Sequence, residues 1–98
     1  MYMTIREYKV SSQQADEVIR RVDTNWLEEL RKVKGFVSYH VVRTQEDQLV
    51  ATAAFLDEAS AKRGAEASAE WVGQRLMLDL DVEFLGMREG PVVVHEGP

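Results

Sequence analysis

Two residues of this chain have the side-chain chemistry and the small neighbours that a ligand cavity needs. Trp71 follows Gly64, Ala67 and Ser68 at helical spacing, so its indole can form one wall of a space for a planar ligand. His40 lies in a strand pattern opposite alanines, and an imidazole in a cavity exchanges protons near neutral pH. Each has a structural alternative, in which the indole fills the groove as core and the imidazole bonds to backbone or solvent.

Four further side chains are candidates for holding a ligand. Tyr8, Arg6 and Asn25 carry groups that would hydrogen-bond to a phenolate or carbonyl oxygen, and Trp26 would close one side of a pocket. Arg6 and Asn25 fit a solvent-exposed surface equally well, because nothing in the local spacing requires them to line a cavity.

Other kinds of chemistry find little support in the sequence. Asp79, Asp81 and Glu83 alternate on one predicted strand, but alternate residues are ~6.7 Å apart, too far for three carboxylates to ligate one cation. We interpret them as a solvated face and expect neither a metal site nor a bound cofactor. His40 and His95 lack metal-ligand spacing, and the chain has no phosphate-binding glycine loop, nucleophile elbow or cysteine.

A strand and a helix open the chain. Residues 2–10 favour a strand, and Ser11 followed by Gln14 has the form of a capping box that predicts a helix start. The helix is expected to end before Gly35. Its apolar positions recur every three or four residues and predict one buried stripe: Ala15, Val18, Ile19, Val22, Trp26, Leu30 and Val33.

Residues 36–44 and 49–56 predict a hairpin that is apolar on both faces. A turn centred on Glu46-Asp47 would pair His40 with Ala53 and Tyr39 with Ala54. One face would then carry Phe36, Ser38, His40, Val42, Leu49, Ala51, Ala53 and Phe55. The other elements are too few to cover both faces, so we expect a second copy of the chain to cover one of them.

Asp57 is the predicted N-cap of a second helix, and any break is expected near Gly73. Its predicted buried seam is Ala61, Ala65, Ala69, Val72 and Leu76. Alternation from Leu78 predicts a fourth strand that Gly90-Pro91 interrupts, leaving residues 91–96 as a candidate strand-exchange tail or a turn back onto the same sheet. The order is β-α-β-β-α-β in a single domain, residues 1–98, which predicts an α+β ferredoxin-like antiparallel sheet.

Composition narrows the classes of partner and the location. The 98 residues carry a net charge of -5 without a basic cluster, which argues against nucleic acid and anionic membranes as partners. The N-terminal residues lack the pattern of a secretory signal, and no apolar stretch approaches about 20 residues. Together with the absence of cysteine, these features lead us to expect a soluble cytoplasmic protein.

The sequence resembles the antibiotic biosynthesis monooxygenase (ABM) family of dimeric α+β barrels. The resemblance is carried by Gly35-Phe36-Val37-Ser38-Tyr39 at the hairpin, Ala69-Glu70-Trp71-Val72 in the second helix and Gly90-Pro91-Val92-Val93-Val94-His95 near the end. It implies two ferredoxin-like subunits joined sheet to sheet, a cavity between each sheet and its helices, and Trp71 in that cavity. Members of the family oxygenate aromatic hydroquinones without metal or flavin, and a related branch degrades haem.

Two positions depart from the family pattern: Ala67 stands where some members have an asparagine, and Asp81 where the haem-degrading branch has a histidine. The resemblance implies a homodimer that oxygenates a small aromatic or quinone-like molecule without a bound cofactor. From its predicted position we expect His40 to deprotonate that molecule beside Trp71. One alternative is a non-catalytic barrel that binds or sequesters a small molecule, for example in a stress response. Another is a dimerisation module with a filled core.

Overall fold

A computed structural model describes all residues from 1 to 98. It has four strands and two helical segments, the first of which includes a π-helical turn. In chain order the elements are β1 (Tyr2–Val10), α1 (Ala15–Arg21), the π-turn (Val22–Trp26), α2 (Leu27–Arg31), β2 (Phe36–Gln45), β3 (Gln48–Phe55), α3 (Glu58–Arg75) and β4 (Val82–Pro91).

The strands form one antiparallel sheet in the order β2-β3-β1-β4. The buried residues of the helices join those of the strands in a single apolar core. These features confirm the predicted ferredoxin-like α+β fold. None of the helices combines the length and apolar character needed to cross a membrane.

The first helical segment differs from the prediction at its start and near its middle. Ser11 offers only its backbone carbonyl to the Gln14 amide, and the Gln14 side chain accepts a hydrogen bond from the Asp81 amide at 2.7 Å. The predicted capping box is therefore wrong, because Gln14 ties the helix start to the segment before β4. The π-turn widens the helix over one turn, so Asn25 and Trp26 lie where α3 passes.

The hairpin has the expected turn but a different register beyond it. Gln45 pairs with Gln48 as predicted, but Thr44 is an extra, bulged residue, and the pairs beyond it are His40 with Thr52 and Tyr39 with Ala53. A bulge shifts the register by one residue, so the residues of β2 on the side of the bulge away from the turn exchange faces. The predicted face assignment is therefore wrong for residues 38–43. A second shift, at residue 37, pairs Phe36 with Phe55 and returns Phe36 to its predicted face.

The structure confirms the predicted start of α3 and corrects its predicted buried seam. Asp57 caps α3 by accepting a hydrogen bond from the Ser60 amide at 2.8 Å. The helix continues past Gly73, and Ala69 is exposed because the buried face follows Gly64 and Trp71 instead.

The last strand begins later than predicted and also ends later. β4 starts at Val82 and includes Gly90-Pro91, so neither the start at Leu78 nor the interruption is correct. Asp79 lies in the preceding turn, where its carboxylate pairs with Arg21 at 2.7 Å. Residues 92–98 have no regular structure.

The distance between α3 and the sheet is fixed by a glycine. A Cβ atom added to Gly64 would lie 2.7 Å from Cε1 of Phe55, closer than real Cβ atoms approach a neighbour. Phe55 is almost completely buried and cannot easily move. The helix therefore packs at a height that only glycine allows at this position.

Two glycines of α3 give a matched test of this contact. We expect Gly64→Ala to lower the free energy of unfolding by about 1–3 kcal/mol, because the added methyl group overpacks against Phe55. Gly73→Ala meets no atom within 4 Å and should raise the free energy of unfolding by up to about 1 kcal/mol through helix propensity. Urea unfolding followed by circular dichroism measures both. Stabilisation by both substitutions would contradict the proposed close contact.

Candidate functional site

A small apolar cavity lies between the inner face of the sheet and the helices. Its volume is about 50 Å³, and 17 of its 21 lining residues are hydrophobic. β3 contributes Leu49, Ala51, Ala53 and Phe55, α3 contributes Gly64, Ala65, Ser68, Trp71 and Val72, and Leu76 follows directly after α3. A cavity of roughly 150 Å³ is needed for a benzene-sized molecule. An aromatic ligand must therefore displace wall side chains to bind here.

Trp71 is held at one wall of the cavity by the π-turn. Its indole Nε1 donates a hydrogen bond to Asn25 Oδ1 at 2.6 Å, and its ring lies 5.6 Å from the ring of Trp26. The indole is only 7% exposed. Consecutive residues of the π-turn therefore supply both a polar and an aromatic contact to the same side chain, which fixes the orientation of the indole.

Arg6 and Tyr8 form the polar part of the wall on β1. Arg6 Nε donates a hydrogen bond to the Tyr8 hydroxyl at 2.7 Å. The guanidinium carbon also lies 4.6 Å from the centroid of the Phe84 ring, in cation–π geometry. This arrangement places a positive charge at the edge of an otherwise apolar space.

Tyr39 also lines the cavity, and its environment keeps it protonated. Burial raises the pKa of its phenol well above the usual value, and Tyr8 acts in the same direction, while Trp26 and Arg6 oppose the shift without cancelling it. No carboxylate, histidine, lysine or cysteine is among the lining residues. The wall thus offers hydrogen bonds and one cation, but no group suited to taking up a proton at neutral pH.

The structure brings together most of the predicted site residues, but not all of them. Arg6, Tyr8, Trp26 and Trp71 line the cavity, whereas Asn25 supports Trp71 from an adjoining groove. His40 is exposed on the opposite face of the sheet.

The expectation that His40 shares a cavity with Trp71 is therefore wrong, because the bulge at Thr44 shifts the register of β2. The same shift brings Tyr39 to the cavity, which the sequence analysis missed. No group of three or more histidine, aspartate or glutamate side chains is arranged to hold a metal ion.

Comparisons with known proteins identify the family and the fold of the chain. A family model described as antibiotic biosynthesis monooxygenase matches residues 1–71. No curated protein matches the chain. Solved structures at 11–15% identity share the fold, and likeness at this level shows the fold alone.

Three solved structures illustrate the likeness. HapK from Hahella chejuensis has a TM-score of 0.79 and 15% identity, covering 100% of this chain and 98% of HapK. A dimeric ferredoxin-like protein from an uncultured marine organism has a TM-score of 0.76 and 11% identity, and the match covers 99% of this chain and 98% of that protein. A variant of SnoaB, a cofactor-independent oxygenase from Streptomyces nogalater, has a TM-score of 0.66 and 15% identity, covering 96% and 94%.

The hydrogen bond between Asn25 and Trp71 is open to a direct test. Asn25→Ala should lower the free energy of unfolding by about 1–2 kcal/mol, because it leaves the largely buried indole N–H without its partner. Thr24→Ala, in the same turn, controls for the higher helix propensity of alanine and should change stability by less than about 0.5 kcal/mol. If Asn25→Ala lowers the free energy of unfolding by the same amount in a Trp71→Phe variant as in the wild-type protein, the two side chains are not coupled and this interpretation is wrong.

Proposed function

The chain belongs to the antibiotic biosynthesis monooxygenase family, and we propose that it inserts one atom of molecular oxygen into a small hydroquinone-like aromatic molecule. The observation that carries the proposal is the cavity walled by Trp26 and Trp71, with Arg6 at its edge. The two indole rings pack against each other at 5.6 Å and present one aromatic wall, on which a planar aromatic ligand can lie, and a guanidinium favours an oxygen that carries negative charge.

The proposed reaction balances without a bound cofactor. A hydroquinone and O₂ give a hydroxyquinone and water, so the substrate supplies all four electrons that reduce O₂. The substrate anion passes one electron to O₂, the two radicals combine to form a carbon–oxygen bond, and the resulting peroxide takes up a proton. Loss of water then cleaves the oxygen–oxygen bond and leaves a ring carbonyl.

Formation of the substrate anion is the step that the cavity wall must favour. Because the wall holds no base, we propose that the substrate loses its own proton to solvent and that Arg6 and the Tyr8 hydroxyl stabilise the anion. Tyr39, held protonated, supplies a further hydrogen-bond donor. The apolar remainder of the wall limits water around the anion and so strengthens these interactions.

We propose that the functional unit is a homodimer joined through the open face of the sheet. No helix of this chain packs on that face, which carries apolar and polar residues that are at least partly exposed: Met3, Ile5, Ser38, His40, Val42, Val50 and Thr52. The similar protein from an uncultured marine organism is described as dimeric. The tail from Val92, in which Val93 and Val94 are 86% and 85% exposed, is available to exchange with the partner copy.

Oxygen uptake with a panel of hydroquinones of graded acidity tests the proposed activity. We expect turnover whose kcat/KM rises with pH through each substrate's own ionisation, since the cavity supplies no base. Trp71→Ala should lower kcat/KM by about 10- to 100-fold, because the ring is no longer held in place.

Three outcomes would contradict parts of this proposal. A single pH midpoint shared by all substrates would reveal an enzyme base. Loss of turnover in a His40→Gln variant that keeps the wild-type assembly would show that His40 takes part in the reaction. No oxygen uptake, together with ligand quenching of tryptophan fluorescence, would replace the oxygenase with a binding protein.

Light scattering after size exclusion tests the dimer. Wild-type protein should elute as a dimer at micromolar concentration, and Ile5→Glu should be monomeric because it places a charge at the centre of the open face. Leu78→Glu introduces the same charge at a site that is 81% exposed and outside the sheet, and should remain dimeric. A monomeric wild-type protein, or equal effects of the two substitutions, would contradict the proposed interface.

A further inference from the structure

Arg6 is a cation for which the protein provides no anion. It is half-buried on β1, between Ala51 of β3 and Met87 of β4. The salt bridges of the structure use Arg20, Arg21, Lys32 and Arg43, and none of them includes Arg6. A partly buried guanidinium without a carboxylate partner is costly, because desolvation of its charge is not compensated.

The contacts that Arg6 does make are all with neutral groups. Nε donates to the Tyr8 hydroxyl at 2.7 Å, and Nη1 contacts the sulfur of Met87 at 3.5 Å. The guanidinium carbon lies over the Phe84 ring, 4.6 Å from the ring centroid. A guanidinium has five N–H donors, so these contacts hold its orientation and leave most of its donors unused.

The surroundings of Arg6 select the kind of group that would use these donors. The guanidinium lines a cavity whose other residues are mainly apolar and aromatic, so a ligand with a planar apolar body and one anionic substituent satisfies both. A carboxylate matches the geometry of a guanidinium better than a single phenolate oxygen does, since its two oxygens accept two parallel hydrogen bonds.

We propose that Arg6 recognises a carboxylate on the substrate, which makes the substrate an aromatic acid rather than a neutral hydroquinone. This inference rests on the proposed function in that it takes the cavity to be the substrate site. Arg6 thereby determines specificity: it positions the ring by its acidic substituent beside Trp71, with the Tyr8 hydroxyl holding the guanidinium in place.

Binding of a matched pair of probes tests the inference without requiring turnover. The probes are 1-hydroxy-2-naphthoate and its methyl ester, which share the ring and the phenol and differ in the carboxylate. Their dissociation constants are measured by quenching of Trp26 and Trp71, the two tryptophans of the chain, both at the cavity. Wild-type protein should bind the acid at least about tenfold more tightly than the ester.

Two arginine variants separate a specific contact from net charge. Arg6→Gln should reduce the acid-to-ester preference to about one, because the guanidinium contact is lost. Arg88→Gln removes the same charge from the neighbouring strand, where Arg88 pairs with Ile5 on the other face of the sheet, and should keep the wild-type preference. Three results would overturn the proposal. The wild-type protein shows no preference for the acid, Arg6→Gln keeps the preference, or Arg88→Gln loses it.

A third variant covers the case in which Arg6→Gln does not fold. Arg6→Lys keeps the charge but not the forked geometry, so it should keep a preference several-fold smaller than wild type, and a full wild-type preference would overturn the bidentate contact. Oxygen uptake is recorded separately. Binding that depends on Arg6 without oxygen uptake refutes the proposed oxygenase activity but not carboxylate recognition. Oxygen uptake with neutral hydroquinones and no preference for the acid refutes carboxylate recognition but not the oxygenase activity.

Discussion

The close approach of α3 to β3 at Gly64 and Phe55 is the constraint on which the rest of the site depends. It sets the distance between α3 and the sheet. Trp71 lies two turns further along the same face of α3, so the same distance determines how far its indole stands from the sheet. At this distance the indole reaches both Asn25 and Trp26 of the π-turn. The wall of the cavity is therefore a consequence of how the two layers pack.

The sheet separates two kinds of surface. Its inner face is buried under the helices and carries the cavity, with a single cation at the edge. Its outer face is half-apolar and carries His40 and the strand edges that no helix covers. A sheet of this thickness keeps side chains of the two faces apart, so chemistry on one face cannot draw directly on residues of the other.

Local signals predicted the elements of this fold well. The Asp57 cap, the hairpin turn at Glu46-Asp47 and the β-α-β-β-α-β order can each be read from short-range residue preferences, and the structure confirms them. The site was predicted less completely. The bulge at Thr44 and the π-turn at residues 22–26 arise from how neighbouring elements pack, which local residue patterns do not report. Leu78 fits a strand by alternation, yet the turn that joins Asp79 to Arg21 overrides that preference.

The bulge at Thr44 also bears on how such a protein can evolve. His40 and Tyr39 are neighbours in the chain, and the backbone irregularity decides which of them faces the cavity. A lineage that gains or loses one residue within β2 exchanges a protonated phenol for an imidazole at the same place, with no change in residue types. Relatives with one architecture can thus diverge in acid–base chemistry through a change of chain length, which a position-by-position comparison of residue identities would overlook.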